Sequence, residues 1–578
     1  MAGLPAPSDV GRPWCAAYPP GVPPNYDYPR VPLTRFVDDA ARDYPVTDAL
    51  RFEGRSWTWS EVRDLADRVA ARLSDLGIMA GERVAVVSPT TPASAIVSFA
   101  VWRIGAVLVP LDPSAPVADL TERLRSTAPA LVVADVSVVD TLAAARPQLP
   151  DLRHVVATDP VRWLGGAQRV LAPILGRLRG RRTVRPDDDV FMLDDLLGDG
   201  PVMIRQHVTP PDAPAVVLFT GGTMRTGRPV VLTHGNLVAN AFQNRLWVPD
   251  MRSGHEVLLG ALPMWHAYGL TSVLLTGALA AATIVLVPRP DADDLLDTIE
   301  RERPTIFPGV PRLYDRIARA AAGGRRDLSS LHVCVSGGAP LEPSTKDAFE
   351  ALGDEVRVRQ GYGQSETSPL AIASPVYGPV TPGTVGLPVT DTLAIVRRLD
   401  APDERAATGE IGELLLAGPQ VMAGYWTGPD EEPESPGEWL ATGDLASVDE
   451  SGCFTIHGRL GDVVHRRGVR IVPAVVEDAL RQHAAVERAA LVSVPGPDGT
   501  EAAIAVVVPR RRTRVTPDEL HGHLAATLAP ELCPDHVVLR ERLPDSVLGK
   551  VLRRVLRDEL AAELPDLAAV GTPTEVEA

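Results

Sequence analysis

Lysine is almost absent from this chain. The sequence carries 57 lysines and arginines together, and only two of them are lysines, Lys346 and Lys550. This composition indicates that arginine has replaced lysine wherever a positive charge is sufficient. A lysine ammonium is a compact, flexible point charge, whereas an arginine guanidinium is a broad planar fork. A site that needs one small cation between two close anions therefore retains lysine, which makes Lys550 a candidate functional residue.

Cysteine is also scarce. Four cysteines are spread over 578 residues and match no spacing typical of metal ligands: Cys15, Cys334, Cys453 and Cys533. This usage is typical of a reducing cytoplasm, where we expect the protein. The N-terminus has no basic segment followed by an apolar run, so no signal peptide is predicted.

Positive charge is in deficit, and long apolar runs are few. The net charge of −17 argues against a nucleic-acid partner, because phosphate binding needs a basic face.

One uncharged run, residues 270–287, is long enough to be compared with a membrane span. Gly277 and three threonines interrupt this run. We therefore predict a helix over 270–281 and a strand over 283–287 in place of a span.

The length of the chain predicts at least two domains, because 578 residues exceed what one hydrophobic core usually serves. Strands alternate with helices to about residue 340, which predicts two stacked α/β layers. One of these helices has apolar residues from Val62 to Leu73, and Ser60 is its predicted N-cap. From about residue 408, short alternating strands predict a small β subdomain, and a compact α+β unit follows residue 460. The predicted fold class is α/β, with a lead-in over 1–34, a large domain over 35–460, a small C-terminal domain over 461–566 and an acidic tail over 567–578.

Residues 160–186 form a separate basic segment. They contain seven arginines and no acidic residue, and their apolar residues recur at helical spacing. A basic amphipathic helix can lie on an anionic membrane surface, which would place the protein peripherally on the inner membrane face. An arginine-capped surface helix packed on the core is the other interpretation, and the sequence leaves both open.

Several short motifs carry polar groups after predicted strands. A loop rich in glycine and threonine, residues 219–228, follows an apolar strand, and such loops can present backbone N–H groups to phosphate oxygens. His266 follows Trp265, and the small residues 337–340 leave room for a flat ring beside the backbone. An aromatic ring, a hydroxyl and a carboxylate lie together in residues 360–367, and an acidic and a basic side chain follow in residues 442–445 and 458–459.

In this order, these motifs closely resemble the adenylate-forming superfamily of acyl-CoA synthetases, adenylation domains and luciferases. The resemblance covers residues 35–560, and its most specific parts are residues 361–367, 442–445 and 543–554. It implies that a carboxylate attacks the α-phosphate of ATP to give an acyl-adenylate and pyrophosphate. The small C-terminal domain would then turn about a hinge, and a thiol such as CoA would take the acyl group.

The resemblance also implies a role for each motif residue. Residues 220–223 match the phosphate loop, residues 337–340 the wall beside adenine, and Tyr362 the ring that stacks on adenine. The residues matched to nucleotide binding are Thr220, Gly221, Gly222, Thr223, Arg228, Gly337, Gly338, Ala339, Pro340, Gly361, Tyr362, Gly363, Thr367, Asp444 and Arg459. The Mg²⁺ site would use Glu366 and Thr223, and the candidate catalytic residues are Lys550 and His266.

Some positions depart from the family pattern. Met224 and Arg225 stand where the phosphate loop usually has a small residue and a glycine, and Arg228 takes the place of its lysine. The bulk of Arg225 is expected to hinder the approach of phosphate to the backbone. At the hinge, Gly461 replaces an Asp or Lys, and Arg467 replaces a glycine on the face implied to form the thioester.

Residues 265–270 bear on which class of acid is the substrate. They contain no acidic side chain to hold an amine, which disfavours amino acids. Residues 18–23 and the basic segment 160–186 resemble bacterial long-chain fatty acid–CoA ligases, so a medium- or long-chain fatty acid and CoA are the expected substrates. Two alternatives remain: a fatty acyl-AMP ligase that loads an acyl carrier protein, and a degenerate member that binds nucleotide or acyl ligand without turnover.

Overall fold

The computed structural model of this chain describes residues 4–166, 190–197, 207–220, 227–324, 326–429, 431–466, 469–495, 501–545 and 551–563. These residues group into two compact units. The larger unit comprises Val10–Leu393 and Leu416–Leu440, and the smaller comprises Met1–Asp9, Ala394–Leu415 and Ala441–Ala578. The predicted α/β class is confirmed, because the larger unit holds two α/β sheets and the smaller holds the β and α+β elements. The predicted boundary at residue 460 stays a prediction.

One sheet of the larger unit has nine strands within the described residues. Their order across the sheet is Leu387–Pro388, Leu370–Ala373, Arg357–Gly363, Val333–Ser336, Ile306–Gly309, Val257–Gly260, Thr283–Leu286, Asp48–Phe52 and Arg55–Thr58. Strands from Arg357–Gly363 through Asp48–Phe52 pair in parallel, and antiparallel strands flank them. Central strands such as Thr283–Leu286 are wholly buried, as strands covered on both faces must be.

The second sheet has eight strands within the described ranges. Their order is Gly424–Tyr425, Pro229–Thr233, Pro214–Phe219, Val107–Leu111, Arg83–Val87, Leu131–Asp135, His154–Thr158 and Val190–Met192. The apolar strand predicted before the loop over 219–228 is found as Pro214–Phe219. Tyr425 pairs antiparallel with Val230, so this short strand brings together residues that are far apart in the sequence.

The helices of the larger unit cover these sheets. They are Thr34–Asp43, Trp59–Asp75, Pro92–Arg103, Val117–Thr127, Val139–Ala145, Leu193–Leu197, His234–Leu246, Thr276–Leu279, Ala292–Glu302, Pro311–Ala321 and Pro343–Glu350. Ser60 is not the N-cap of the second helix, and that prediction was wrong. Thr58 caps it, because Thr58 Oγ1 accepts from the Glu61 N–H at 3.2 Å and the Glu61 carboxylate accepts from the Thr58 N–H at 2.7 Å.

The uncharged run over 270–287 divides as predicted. A π-helix, Gly269–Leu275, leads into the short helix Thr276–Leu279, and the strand Thr283–Leu286 follows. Within the described parts of the chain, no helix combines the length and the apolar character that crossing a bilayer requires. The predicted basic helix over 160–186 lies mainly outside the described residues, which include only its first part, the 3₁₀ turn Pro160–Trp163 and the next three residues.

The smaller unit has three sheets among its described residues. A four-stranded sheet runs in the order Leu393–Arg397, Gly412–Ala417, Leu440–Val448 and Phe454–Arg459. Val464–Arg466 pairs with Val469–Ile471, and Glu501–Pro509 lies between Val486–Pro495 and His536–Leu539. The helices of this unit are Pro473–Arg481, Pro517–Thr527 and Arg553–Glu563. Leu491, Val507 and Leu520 share its hydrophobic core.

Candidate active site

A largely apolar cavity lies in the larger unit, at the ends of strands Val333–Ser336 and Arg357–Gly363. It encloses about 900 Å³ including its open mouth. The predicted site residues that line it are Gly337, Gly338, Gly361, Tyr362, Gly363 and His266. The structure therefore brings three separate sequence motifs to one place, because neighbouring parallel strands end at the same edge of a sheet.

Two glycines of this wall leave little room for a side chain. A Cβ on Gly363 would lie 1.7 Å from the Pro369 carbonyl oxygen, so this position needs glycine, whereas one on Gly337 would lie 3.0 Å from the ring of Tyr268, which is a tight contact. The Tyr268 hydroxyl donates to the Val335 carbonyl at 2.8 Å, which restrains this ring. The glycines thus let the cavity reach the backbone.

His266 contributes a neutral imidazole to the cavity. Its Nδ1 accepts a hydrogen bond from the Tyr268 N–H at 3.1 Å, which leaves the proton on Nε2. Burial lowers the pKa of His266 from its ordinary 6.5 to about 4. At neutral pH this side chain is therefore a hydrogen-bond donor to a ligand and cannot act there as a base through Nδ1.

The two ends of the predicted phosphate loop are joined. The Thr220 N–H donates to the Arg228 carbonyl at 2.9 Å, and the Arg228 N–H donates to Thr220 Oγ1 at 2.9 Å. Gly227 has φ +70°, and a Cβ there would lie 2.3 Å from the Thr220 carbonyl oxygen, so the closure needs glycine. The intervening loop residues lie outside the described residues: Gly221, Gly222, Thr223, Met224 and Arg225.

Glu366 is connected to Tyr425, Arg228 and Glu434 by a continuous series of side-chain contacts. The Tyr425 hydroxyl donates to Glu366 Oε1 at 3.2 Å, and the Arg228 guanidinium carbon lies 3.4 Å from the centroid of the Tyr425 ring. Arg228 also pairs with Glu434, with Nη2 2.9 Å from Oε2. Burial and the adjacent Glu366 charge raise the pKa of Tyr425 to about 12, so its hydroxyl remains a donor at neutral pH. The arginine in the lysine position of the loop therefore supports the tyrosine that holds Glu366.

Thr367, Ala339 and Pro340 are the other described residues of the larger unit that the sequence predicts to contact the nucleotide. Thr367 is fully buried, and its hydroxyl donates to the Gln364 carbonyl at 3.1 Å and also contacts the Pro369 carbonyl. Ala339 and Pro340 follow the strand Val333–Ser336 and are not among the residues that line the cavity.

Asp444 and Arg459 form a pair in the smaller unit. They face each other on neighbouring antiparallel strands, and Arg459 Nε lies 2.8 Å from Asp444 Oδ1. The Asp444 N–H donates to Thr442 Oγ1 at 3.0 Å, and Arg459 Nη1 donates to the Thr442 carbonyl at 3.2 Å. The acidic and basic residues that the sequence placed 15 positions apart are therefore adjacent.

Lys550 lies outside the described residues, but both ends of its segment are defined. Asp545 and Val551 form an antiparallel bridge, and the Leu552 N–H donates to the Pro544 carbonyl at 2.8 Å. Arg488 binds both carboxylate oxygens of Asp545, at 2.7 and 2.8 Å. A bidentate pair of this kind fixes geometry as well as charge.

Sequence reasoning missed Tyr425, Glu434 and Tyr268. Each depends on a contact between distant segments, such as the pairing of Tyr425 with Val230. A tyrosine beside a glycine in the short segment Gly424–Tyr425 was the only available signal, and it did not indicate a partner.

Two family models match the chain: "AMP-binding enzyme" over residues 37–426 and "AMP-binding enzyme C-terminal domain" over residues 475–550. A long-chain-fatty-acid–CoA ligase of Bacillus subtilis is 31% identical over 557 residues, which are 95% of this chain and 98% of that protein. A feruloyl-CoA synthase of Amycolatopsis is 32% identical over 523 residues, covering 89% of this chain and 96% of that protein. The solved structure of ATP-bound MatB from Rhodopseudomonas palustris has a TM-score of 0.79 at 25% identity, over 93% of this chain and 99% of that one.

The fold, the site and these matches define an adenylate-forming enzyme. The chain belongs to the AMP-binding enzyme family. The predicted superfamily and the predicted enzyme class, acyl-CoA synthetase, are confirmed.

Proposed function

We propose that this enzyme joins a medium- or long-chain fatty acid to CoA through an acyl-adenylate, using ATP. The observation that supports this proposal most directly is the apolar cavity, whose lining includes the motif residues Gly337, Gly361 and Tyr362. An apolar acid would lie in the cavity, and the adenine would pack against the glycine-rich strand ends. The Bacillus relative, named as a long-chain-fatty-acid–CoA ligase, supports this choice of acid.

Mg²⁺ would enter with the nucleotide. No group of three or more acidic, histidine or cysteine ligands occurs in the described parts of the chain. Mg²⁺ is commonly held by one or two carboxylates together with substrate phosphates, and Glu366 with the Thr223 hydroxyl fits that donor set. When bound, the ion would neutralise phosphate charge during attack by the carboxylate. Glu366 is held for this task by Tyr425.

The remaining residues would act on the reacting groups. His266 would donate from Nε2 to an oxygen at the cavity mouth, and it would do so as a neutral side chain. Asp444 would accept from the ribose hydroxyls, with Arg459 fixing its carboxylate. Lys550 would bring one compact positive charge to the carboxylate and the α-phosphate, whose mutual repulsion is the main barrier. The small domain would then turn to admit CoA.

The test is acid-dependent formation of AMP and pyrophosphate, measured across short, long and aromatic acids with and without CoA. We expect AMP and an acyl-CoA thioester from at least one long-chain acid. Adenylate without thioester would show that the acceptor is a carrier protein and not CoA. Failure of every acid to release pyrophosphate would contradict the proposal and favour a binding protein without turnover.

A further inference from the structure

The wall of the acid cavity contains a buried cation. Arg359 lies on the strand Arg357–Gly363, lines the cavity and is only 9% exposed. Most of its neighbours in the wall are apolar, including Trp247, Leu258 and Val333. A guanidinium in such surroundings is costly unless its hydrogen bonds and its charge are compensated.

The protein compensates Arg359 only in part. Its Nε donates to the carbonyls of Pro375 at 2.7 Å and Val376 at 3.0 Å. The Glu350 carboxylate is 3.7 Å from Nη1, but it lies closer to Lys346 Nζ, at 2.7 Å. Burial lowers the pKa of Arg359, as expected for a cation with too little negative charge around it. Arg359 Nη1 also donates to the Val358 carbonyl at 3.3 Å. Nη2 has no hydrogen-bond partner among the described residues, so its N–H groups are left for a ligand.

Two buried hydroxyl groups line the same cavity. Ser272 is 6% exposed and Ser374 is 1% exposed, and their Oγ atoms have no hydrogen-bond partner among the described residues. Ser374 directly precedes Pro375, whose carbonyl accepts from Arg359 Nε, and both Ser374 and Arg359 line the cavity. Buried polar groups without partners are rare in folded proteins and call for an explanation.

We propose that the acid activated by this enzyme carries a second oxygen function, remote from the reacting carboxylate, that accepts hydrogen bonds from Arg359 and contacts the hydroxyl of Ser374. The substituent is a hydroxyl, a carbonyl or a second carboxylate on an otherwise apolar body. A plain hydrocarbon acid would leave the Nη2 donors of Arg359 and the hydroxyls of Ser272 and Ser374 without partners among the described residues, which a hydrogen-bonding site penalises strongly. This inference rests on the proposed function, because it assumes that the acid occupies this cavity.

The experiment compares matched acids: dodecanoic with 12-hydroxydodecanoic and dodecanedioic acid, and cinnamic with 4-hydroxycinnamic acid. We measure kcat/KM for AMP formation with CoA, and the affinity of each acid by calorimetry. In the wild-type protein, at least one oxygenated acid should exceed its plain partner by about tenfold or more. Arg359→Leu should abolish that preference and leave the plain acid unchanged or improved.

Control variants separate recognition from folding. Arg316→Leu removes an exposed arginine that pairs with Asp291 and does not line the cavity, and it should leave every ratio unchanged. Ser374→Ala is the second test, since it deletes one hydroxyl and keeps the Arg359 contacts with the neighbouring carbonyls. It should lower kcat/KM for the preferred oxygenated acid by about threefold or more, with no change for the plain one. This variant decides the question if Arg359→Leu lowers the thermal unfolding midpoint sharply.

Two results would overturn the inference while the proposed function stands. One is equal use of plain and oxygenated acids by the wild-type enzyme. The other is an equal loss for all acids in Arg359→Leu, which would assign Arg359 to the reacting carboxylate. If no acid gives AMP, the proposed function fails. The inference is then decided by calorimetry alone, from whether the wild-type protein binds an oxygenated acid more tightly than its plain partner.

Discussion

The guanidinium of Arg228 lies over the ring of Tyr425, with its carbon 3.4 Å from the ring centroid. A stacked guanidinium is attracted to the electron-rich ring face, and the tyrosine hydroxyl beyond it donates to Glu366. This position is occupied by lysine in the usual phosphate loop, and a lysine ammonium cannot cover a ring as a planar guanidinium does. The substitution seen in the sequence therefore has a structural consequence, which is a fixed orientation of the Glu366 carboxylate.

Tyr425→Phe should weaken the use of Mg²⁺ while leaving the fold intact. The ring and its contact with Arg228 remain, but Glu366 loses the hydrogen bond from the tyrosine hydroxyl. The Mg²⁺ concentration for half-maximal adenylation should rise about three- to tenfold, the equivalent of about 1 kcal/mol, which is the typical net contribution of one hydrogen bond. The same shift should appear in Mg²⁺-dependent thermal stabilisation by ATP. Tyr377→Phe, which removes a hydroxyl bound to Asp250 at 2.6 Å, is the matched control and should change neither measurement.

Arg228→Leu should raise the KM for ATP by about tenfold or more, because it removes a cation from the base of the phosphate loop. Arg228→Lys should retain most of the affinity for ATP, since its charge is preserved. Steady-state adenylation at varied ATP concentration provides the measurement. Arg125→Leu is the control, because Arg125 is an exposed arginine that pairs with Glu122 of its own helix. Equal KM values for ATP in Arg228→Leu and the wild-type enzyme would show that Arg228 does not contribute to nucleotide binding.

Lys550→Ala should abolish formation of the acyl-adenylate and spare the transfer of supplied acyl-adenylate to CoA. Loss of a preorganised charge at the reacting phosphate typically lowers the rate by about 10²–10³-fold. Lys550→Arg should also be strongly impaired, since a guanidinium does not fit where a compact ammonium is needed. Lys346→Arg, at the other lysine of the chain, should be nearly silent. An equal loss in both half-reactions would argue against the role assigned to Lys550.

His234 should make the larger unit less stable in mild acid. Its side chain is fully buried, and burial lowers its pKa from 6.5 to about 4. Because the unfolded chain takes up the proton first, this contribution to stability is fully present above pH 6.5 and is lost as the pH falls toward 4. At pH 5 the loss is about 2 kcal/mol, at ~1.4 kcal/mol for each pKa unit.

The thermal unfolding midpoint, measured from pH 7 to pH 5, checks the His234 prediction. His234→Asn keeps an acceptor for the Leu33 N–H, which His234 Nδ1 accepts at 3.2 Å, and it cannot titrate. The wild-type midpoint should therefore fall more steeply with acid than that of the variant. Parallel profiles would mean that other groups account for the acid sensitivity.

The elements that follow from local pattern were predicted well. The helix predicted from Val62 to Leu73 is found as Trp59–Asp75, and the strand predicted over 283–287 is found as Thr283–Leu286. Ser60 shows the limit of local pattern, because Thr58 and Ser60 are both competent caps. The choice between them depends on where the strand Arg55–Thr58 stops pairing with Asp48–Phe52, which is a contact between segments.

The sequence by itself determined the family, the order of the motifs and the residue types proposed to bind the nucleotide, because these are local patterns of glycine, hydroxyl and charge. The tertiary structure alone decided that Tyr425 supports Glu366 and that Arg359 is buried in the wall of the apolar cavity. Both facts arise where strands or loops from distant parts of the chain meet. Whether a residue is buried, and which residue it contacts, depends on how these segments pack together. The sequence of a single segment therefore encodes neither.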